Sequence, residues 1–185
     1  MSNLLNYGLY QTGWLASVLG AGRGYPWAGM AVALVFIAVH VWLARHRRAE
    51  MALILVAGAV GLVVDSTQVR LGLLQFPSGS LVAWLCPPWI VVMWMQFATT
   101  LRYSLQWLLG PPVRAAVFGA LGGPLAYLVG RRCGAVEWGP SPGLSLAALG
   151  LLWMVSVPLL VSVARRHGPA GYRGPAVDAS TPSRA

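Results

Sequence analysis

The chain has 185 residues, of which 57% are hydrophobic and only 9% are charged, and its mean hydropathy is +0.67. Because a soluble domain is about a quarter charged, this composition excludes an ordinary water-soluble fold and favours one embedded in lipid. The net charge of +9 comes from thirteen arginines against four acids. These arginines lie between apolar runs, as topology signals do, so we expect no binding to nucleic acid.

Six apolar runs follow one another along the chain. Each is long enough to cross a hydrocarbon core of ~30 Å at ~1.5 Å per residue. They cover residues 3–20, 27–44, 51–74, 88–109, 114–130 and 143–164. Turn-forming sequences such as GAGRGYP, FPSGS and GPSPG separate them. The sequence therefore predicts an all-α polytopic membrane protein with about six transmembrane helices.

Two stretches fall outside these helices. Residues 81–86 precede a Pro-Pro pair that suits the start of the fourth helix, so they are interpreted as an interfacial or re-entrant piece. Residues 168–185 are polar and rich in Gly, Pro and Ala. We predict that they form a disordered cytoplasmic tail after a single transmembrane domain at residues 1–167.

The distribution of arginines predicts the orientation. The richer side of the predicted bundle carries Arg45, Arg47, Arg48, Arg114, Arg165, Arg166, Arg173 and Arg184. The other side carries Arg23, Arg131 and Arg132. By the positive-inside rule the richer side is cytoplasmic, so both termini are predicted to lie in the cytoplasm. Several tryptophans fit interfacial belts, but Trp14, Trp94 and Trp153 lie deeper in their spans.

The third span contains charged residues in the sequence LVVDSTQVRLGLL. Asp65 lies ~21 Å along this helix and Arg70 ~28 Å, so Arg70 can reach the outer interface and Asp65 cannot. The two are ~140° apart around the helix, which makes an ion pair between them a poor explanation. Asp65 therefore needs a partner from another helix, a proton or a water-filled cavity, and Gln68 shares its face.

The fourth span carries a polar stripe at helical spacing, formed by Gln96, Thr99, Tyr103 and Gln106. Gln96 and Thr99 lie ~12–17 Å from its outer end, close to the ~14 Å depth of Asp65. We predict that these residues and Asp65 form one buried polar pocket, joined by Asn6 and Gln11 of the first helix. The alternative is that they only provide hydrogen bonds between helices. Arg102 is interpreted as an anchor that reaches the phosphate headgroups at the inner interface.

The fifth span has small residues at helical spacing. Gly119 and Gly123 form one series, and Gly122, Ala126 and Gly130 form a second, both typical of closely packed membrane helices. A substrate-lining break at Pro124 is the alternative interpretation. The predicted topology places Cys86 and Cys133 on the outer side, where a disulfide between them is possible in an oxidising compartment. The three histidines are scattered and no metal-ligand spacing occurs, so we expect neither a metal site nor a cofactor.

Several segments together resemble a known family. The segments that carry the similarity are NYGLYQTGWLASVLGA, VVDS, WMQFATTLRYSLQWL and GALGGPLAYLVGRRCGAVEW. Over about residues 3–164 the chain is similar to a bacterial inner-membrane family, domain of unknown function 2878. The positions here that match its recurrent residues are Asn6, Gln11, Trp14, Asp65, Thr99, Thr100, Ser104, Gly123, Pro124, Tyr127 and Glu137. The family has no established activity. The resemblance implies a bacterial inner-membrane location and an association with lipid-modifying enzymes.

These observations together predict a function of binding rather than of catalysis. We expect a membrane component that binds a lipid or small amphiphile and serves a lipid-modification pathway, with membrane lipid as its partner. The alternatives are a small proton-coupled transporter or substrate-binding transport subunit, and a cofactor-independent lipid-modifying enzyme. The candidate ligand-binding residues are Asn6, Gln11, Asp65, Gln68, Gln96, Thr99, Thr100 and Tyr103.

Overall fold

The computed structural model describes residues 1–166, and these form six α-helices. The helices are α1 (Asn3–Gly22), α2 (Pro26–Leu43), α3 (Arg47–Arg70), α4 (Pro88–Ala98), α5 (Pro112–Arg132) and α6 (Pro142–Arg166). A 3-10 helix, Gln106–Leu109, follows α4. Two short strands, β1 (Leu74–Gln75) and β2 (Glu137–Trp138), pair antiparallel and join two of the loops. The tail predicted at residues 168–185 lies outside the described residues.

Proline and glycine set most helix boundaries. Pro26, Pro88 and Pro112 each begin a helix. Proline is suited to this position because an N–H in the first turn has no acceptor within the helix, so its absence costs no hydrogen bond. Gly72 and Gly134 follow α3 and α5 with φ of 66° and 78°. This left-handed backbone turns the chain out of each helix towards the strand that follows, and glycine adopts it without steric strain.

Four of the helices within residues 1–166, namely α2, α3, α5 and α6, are long and apolar enough to cross a membrane. Their outward faces expose large apolar side chains, including Val35, Leu55, Val63, Leu121 and Val155. In water such faces would be unstable, whereas in hydrocarbon they are matched by the solvent. The chain therefore has the predicted all-α, polytopic membrane fold.

The helices alternate in direction and give the bundle two ends. The N-terminal end carries the start of α1, the α2–α3 turn and the end of α6. The loop end carries the α1–α2 turn and the loops that contain β1 and β2. Neighbouring helices α1 and α2, α5 and α6, and α3 and α4 pack closely against each other. α4 lies at the centre, with its Trp89 and Trp94 almost fully buried.

Glycines allow two of these helix pairs to approach closely. Gly29 of α2 lies directly against the backbone of α1 at Ala16 and Ser17. Gly119 and Gly123 of α5 lie against Trp153 of α6. The close packing predicted from the spacing of small residues is thus observed. α5 is continuous through Pro124, so the alternative of a break in the fifth span is wrong.

The fourth predicted span is not one helix. α4 ends at Ala98, and a series of tight turns connects it to the 3-10 helix at Gln106. Thr99 and Thr100 donate their hydroxyl hydrogens to the carbonyls of Gln96 and Phe97, at 2.7 and 2.6 Å. These side chains tighten the backbone into i to i+3 turns, and two consecutive β-branched residues further weaken the helix. The prediction of a helix through residue 109 was therefore wrong.

The third helix also differs from the prediction in its bounds. α3 begins four residues earlier and ends four residues earlier than residues 51–74, which brings Glu50 into its first turn. Residues 81–86 form an irregular loop with Leu81 and Trp84 exposed. Arg70, at the end of α3, lies over the ring of Trp84 at 4.7 Å from its centroid. Its predicted position at this end of the helix is thus observed.

Candidate functional site

Asp65 is fully buried in the bundle and is held by three hydrogen bonds. Trp94 Nε1 of α4 donates to its Oδ2 at 2.6 Å, and the Tyr127 hydroxyl of α5 donates to its Oδ1 at 2.5 Å. Gln68 Nε2, one turn along α3, donates to Oδ1 at 3.2 Å. The carboxylate is thus satisfied by donors from three helices rather than by an ion pair.

A glycine makes this arrangement possible. Gly61 lies one turn before Asp65 on α3, and a Cβ there would collide with the ring of Trp94. The absence of a side chain lets the indole lie flat against α3 and reach the carboxylate. Trp94 in turn contacts Trp153 of α6, with ring centroids 4.4 Å apart. The site is therefore assembled by close packing around two tryptophans.

Trp94 and Tyr127 also line a cleft between α1, α4, α5 and α6, which we call the aromatic cleft. Its volume is about 50 Å³, room for about four waters at ~10–15 Å³ each. It is lined by Tyr10, Trp14, Val18, Phe76, Trp89, Ile90, Met93, Trp94, Phe97, Ala126, Tyr127, Gly130, Ala135, Val136 and Trp153. Trp153 Nε1 is buried and has no acceptor among the described residues. The cleft thus combines an apolar wall with one unused hydrogen-bond donor.

A second polar cluster stabilises the broken backbone after α4. Asn6 Nδ2 of α1 donates to the Thr99 carbonyl at 3.0 Å, and Asn6 Oδ1 accepts from the N–H and hydroxyl of Ser104 at 3.2 and 2.7 Å. Gln96 Nε2 donates to the Leu9 carbonyl of α1 at 3.2 Å. Backbone outside a helix is tolerated at membrane depth only where protein satisfies it, and α1 does so here.

A third cluster lies at the N-terminal end and contains buried charges. Glu50 accepts from Arg102 Nη1 at 3.1 Å and from His40 Nε2 at 3.2 Å. Arg102 Nε donates to the Ala164 carbonyl of α6 at 3.1 Å. The ring of Tyr103 packs edge-on against His40, with centroids 5.1 Å apart. Arg102 is thus an internal ion-pair partner, and the interpretation that it reaches lipid headgroups was wrong.

The single predicted pocket is therefore divided. Asp65 and Gln68 belong to the first cluster, Asn6, Gln96 and Thr99 to the second, and Tyr103 to the third. The Thr100 hydroxyl bonds its own helix, and Gln11 is half-buried and makes no hydrogen bond that joins these clusters in residues 1–166. The residue of α4 that meets Asp65 is Trp94, whereas Gln96 faces α1 and donates to the Leu9 carbonyl.

The partners of Asp65 and the lining of the cleft were missed from the sequence. Three tryptophans at Trp14, Trp94 and Trp153 lie too deep for an interfacial belt, and all three line the cleft. Their depth within the predicted spans was the signal that could have indicated an aromatic site inside the bundle. Tyr127 was noted only as a position shared with the resembled family. Whether these residues bind a ligand is a matter of proposal.

The two cysteines are free thiols in the structure, so the disulfide considered from the sequence is not formed there. Cys86 lies in the loop before α4, where its N–H donates to Ser66 Oγ of α3 at 3.1 Å. Burial raises the pKa of the Cys86 thiol to about 11. Cys133 is half-buried at the end of α5.

We expect a maleimide to label Cys133 and to leave Cys86 unlabelled in the folded protein at about pH 7.5, because the thiolate is the reactive form. Cys86 should react only as the pH approaches 11 or after unfolding. Mass spectrometry of the labelled peptides measures this, with Cys133→Ser as the control. A mobility difference between reduced and non-reduced gels, or rapid labelling of Cys86, would contradict the expectation.

No curated protein and no solved structure matches the chain. Residues 3–159 match the family described as "Protein of unknown function (DUF2878)". This match covers α1 to α5 and most of α6. It includes the side chains of all three polar clusters, and the Ala164 carbonyl of the third cluster lies beyond it. The resemblance to this family is thereby confirmed, and the chain belongs to the DUF2878 family.

Proposed function

We propose that this protein is a membrane component that binds a lipid or another small amphiphile in the aromatic cleft and serves a lipid-modification pathway. The observation that carries the proposal is the cleft itself, which is lined mainly by apolar side chains and includes Trp94 and Tyr127, the donors to Asp65. Ligand sites are commonly apolar clefts with a few placed polar groups. Tyr10 and Trp14 of its α1 wall are only half-buried.

The unused donor favours an amphiphile over a pure hydrocarbon. Trp153 Nε1 is buried without an acceptor among residues 1–166, which costs free energy in the unliganded state. An ester or hydroxyl oxygen of a bound molecule would satisfy this N–H. The volume of about 50 Å³ suits the end of an amphiphile whose remaining chain stays in the bilayer.

The environment of Asp65 favours binding over proton-coupled transport. A transport carboxylate must exchange protons with water, whereas Asp65 is fully buried and its two oxygens are occupied by three donors. We place the protein in a bacterial inner membrane with the N-terminal end of the bundle in the cytoplasm. The excess of arginine at that end supports this orientation.

Photolabelling tests the proposal. A long-chain alcohol with a diazirine close to its hydroxyl group is incorporated into maltoside micelles with the full chain, and labelled residues are mapped by mass spectrometry. We expect label on the cleft wall of α1, at Trp14 and Val18. Ala126→Leu adds bulk to the cleft and should reduce this label several-fold, because the substituted side chain lines it.

The matched control is Ala116→Leu, the same substitution on α5 at a position that does not line the cleft. It should leave the label on α1 unchanged. Labelling confined to the outward faces of the helices, or equal labelling of the cleft in both variants, would overturn the proposed function.

A further inference from the structure

We propose that the aromatic cleft selects the organic ammonium group of an amphipathic cation, and this inference rests on the proposed function. The polar end of the ligand would then be a positively charged nitrogen with attached methyl or methylene groups, and a hydroxyl or ester oxygen carried by one of these groups would accept from Trp153 Nε1. Its apolar chain would extend from the cleft into the bilayer. Three features of the cleft carry the inference: its rings, its charge and its size.

The rings supply the first argument. Eight of the fifteen residues that line the cleft are aromatic, and four of these are tryptophans: Trp14, Trp89, Trp94 and Trp153. The face of an aromatic ring attracts a cation, and tryptophan does so most strongly, especially where water is excluded. Aliphatic side chains would bind a purely apolar group equally well, but they are the minority of the residues that line this cleft.

The charge distribution supplies the second argument. Trp94 and Tyr127 line the cleft and both donate hydrogen bonds to the Asp65 carboxylate, which places a buried negative charge directly behind two of its walls. Donation to an anion increases the electron density of a ring and strengthens its attraction for a cation. The nearest charge to the ligand is therefore negative.

No basic residue of the described chain lines the cleft to balance this carboxylate. Arg102 is held by Glu50 at the N-terminal end, and Arg70 lies over Trp84 in the loop at the other end. A phosphate or carboxylate headgroup would thus enter a site with negative charge behind it and no cation in its lining. Charge complementarity excludes anionic groups and favours a cation.

Size supplies the third argument. A volume of about 50 Å³ in a cleft lined by aromatic residues accommodates a compact group such as a substituted ammonium and excludes a whole phospholipid head with its glycerol. An ammonium that carries methyl groups is also weakly hydrated, so its transfer from water into an aromatic site is less costly than that of a small inorganic ion.

Competition against the photoactivatable alcohol tests the inference on the full chain in maltoside micelles. One competitor is dodecyltrimethylammonium, and the other is its uncharged carbon isostere, 2,2-dimethyltetradecane, at equal mole fraction in the micelle. We expect the ammonium to displace the label from Trp14 and Val18 at a concentration about tenfold lower than the isostere, as a desolvated cation–π site requires. Dodecanoate should compete no better than the isostere.

Two variants identify the source of the selectivity. Trp14→Leu removes an aromatic ring and keeps an apolar side chain at a half-buried position, and Trp14→Phe keeps a ring. The preference for the ammonium should fall several-fold in Trp14→Leu and be largely retained in Trp14→Phe. Asp65→Asn removes the charge behind the rings and should reduce the preference for the ammonium over the isostere.

The outcomes separate the two proposals. Absence of cleft labelling in the unmodified protein overturns the proposed function. Labelling that both competitors displace equally leaves the proposed function standing and overturns the ammonium inference. Stronger competition by dodecanoate than by the ammonium overturns it as well, because an anion would then be the preferred head.

Discussion

Replacement of Glu50 by glutamine is expected to lower the free energy of unfolding by about 3–5 kcal/mol, the usual cost of removing one partner of a buried ion pair. Glu50 is 4% exposed, and its carboxylate is shared by Arg102 and His40. Without the negative charge, the guanidinium of Arg102 stays inside the bundle with only the amide oxygen and the Ala164 carbonyl as acceptors. Reversible unfolding in mixed micelles measures the change.

The matched control is Glu137→Gln at the loop end. Glu137 is exposed in β2, so the same chemical change there should cost about 0.5 kcal/mol or less. A second variant, Glu50→Gln combined with Arg102→Met, removes both charges and should recover a large part of the loss. Equal destabilisation by Glu50→Gln and Glu137→Gln would show that water reaches Arg102 and that the pair is not buried in the membrane protein.

Glu50 precedes the predicted third span at residues 51–74, so the sequence assigned it no role inside the bundle. Charged residues near the end of a hydrophobic run are ordinarily assigned to the interface, since a charge inside the membrane is costly. The structure shows why that assignment failed. α3 begins at Arg47, which brings Glu50 into the first turn on the face that meets Arg102. A shift of four residues in one helix boundary changed an interfacial acid into a buried one.

The orientation of Asp65 on α3 was predictable, and its partners were not. Helical periodicity separated it from Arg70 and placed Gln68 on its face, and the structure agrees with both. The predicted depth of ~14 Å from the outer end was wrong, because α3 ends at Arg70 and leaves Asp65 about 8 Å from that end. Trp94 and Tyr127 are 29 and 62 residues away in the chain. Which face of α4 meets α3 depends on the contact of Gly61 with Trp94, and which face of α5 meets α6 depends on the contact of Gly123 with Trp153. No single-helix pattern contains these contacts.

The end of α4 is the other feature that periodicity obscured. Residues 96–106 carry polar side chains at helical spacing, and the spacing predicted a helix. The pair Thr99 and Thr100 was the contrary signal, since both hydroxyls can bond a carbonyl three residues earlier. Such a break is stable only when another segment satisfies the freed backbone. That condition was fulfilled by Asn6, which is more than ninety residues distant in the chain.

Asn6→Leu is therefore expected to destabilise the region after α4 far more than an ordinary substitution on α1. The amide of Asn6 is the partner of three groups: the Thr99 carbonyl, the Ser104 N–H and the Ser104 hydroxyl. Leucine has a similar volume and satisfies none of them, at a cost of about 1–3 kcal/mol for each buried group left unpaired. We expect a loss of several kcal/mol in stability.

Hydrogen exchange locates the effect. The amides of residues 99–105 should exchange at least tenfold faster in Asn6→Leu, while those in the middle of α3 and α6 change little. Asn3→Leu is the matched control, because Asn3 is exposed on the same helix and should leave exchange in 99–105 unaffected. Ser104→Ala, which removes only the hydroxyl, should give an intermediate effect. If Asn6→Leu leaves the exchange of these amides unchanged, the turns after Ala98 are stable without α1, and the threonine hydroxyls alone hold the break.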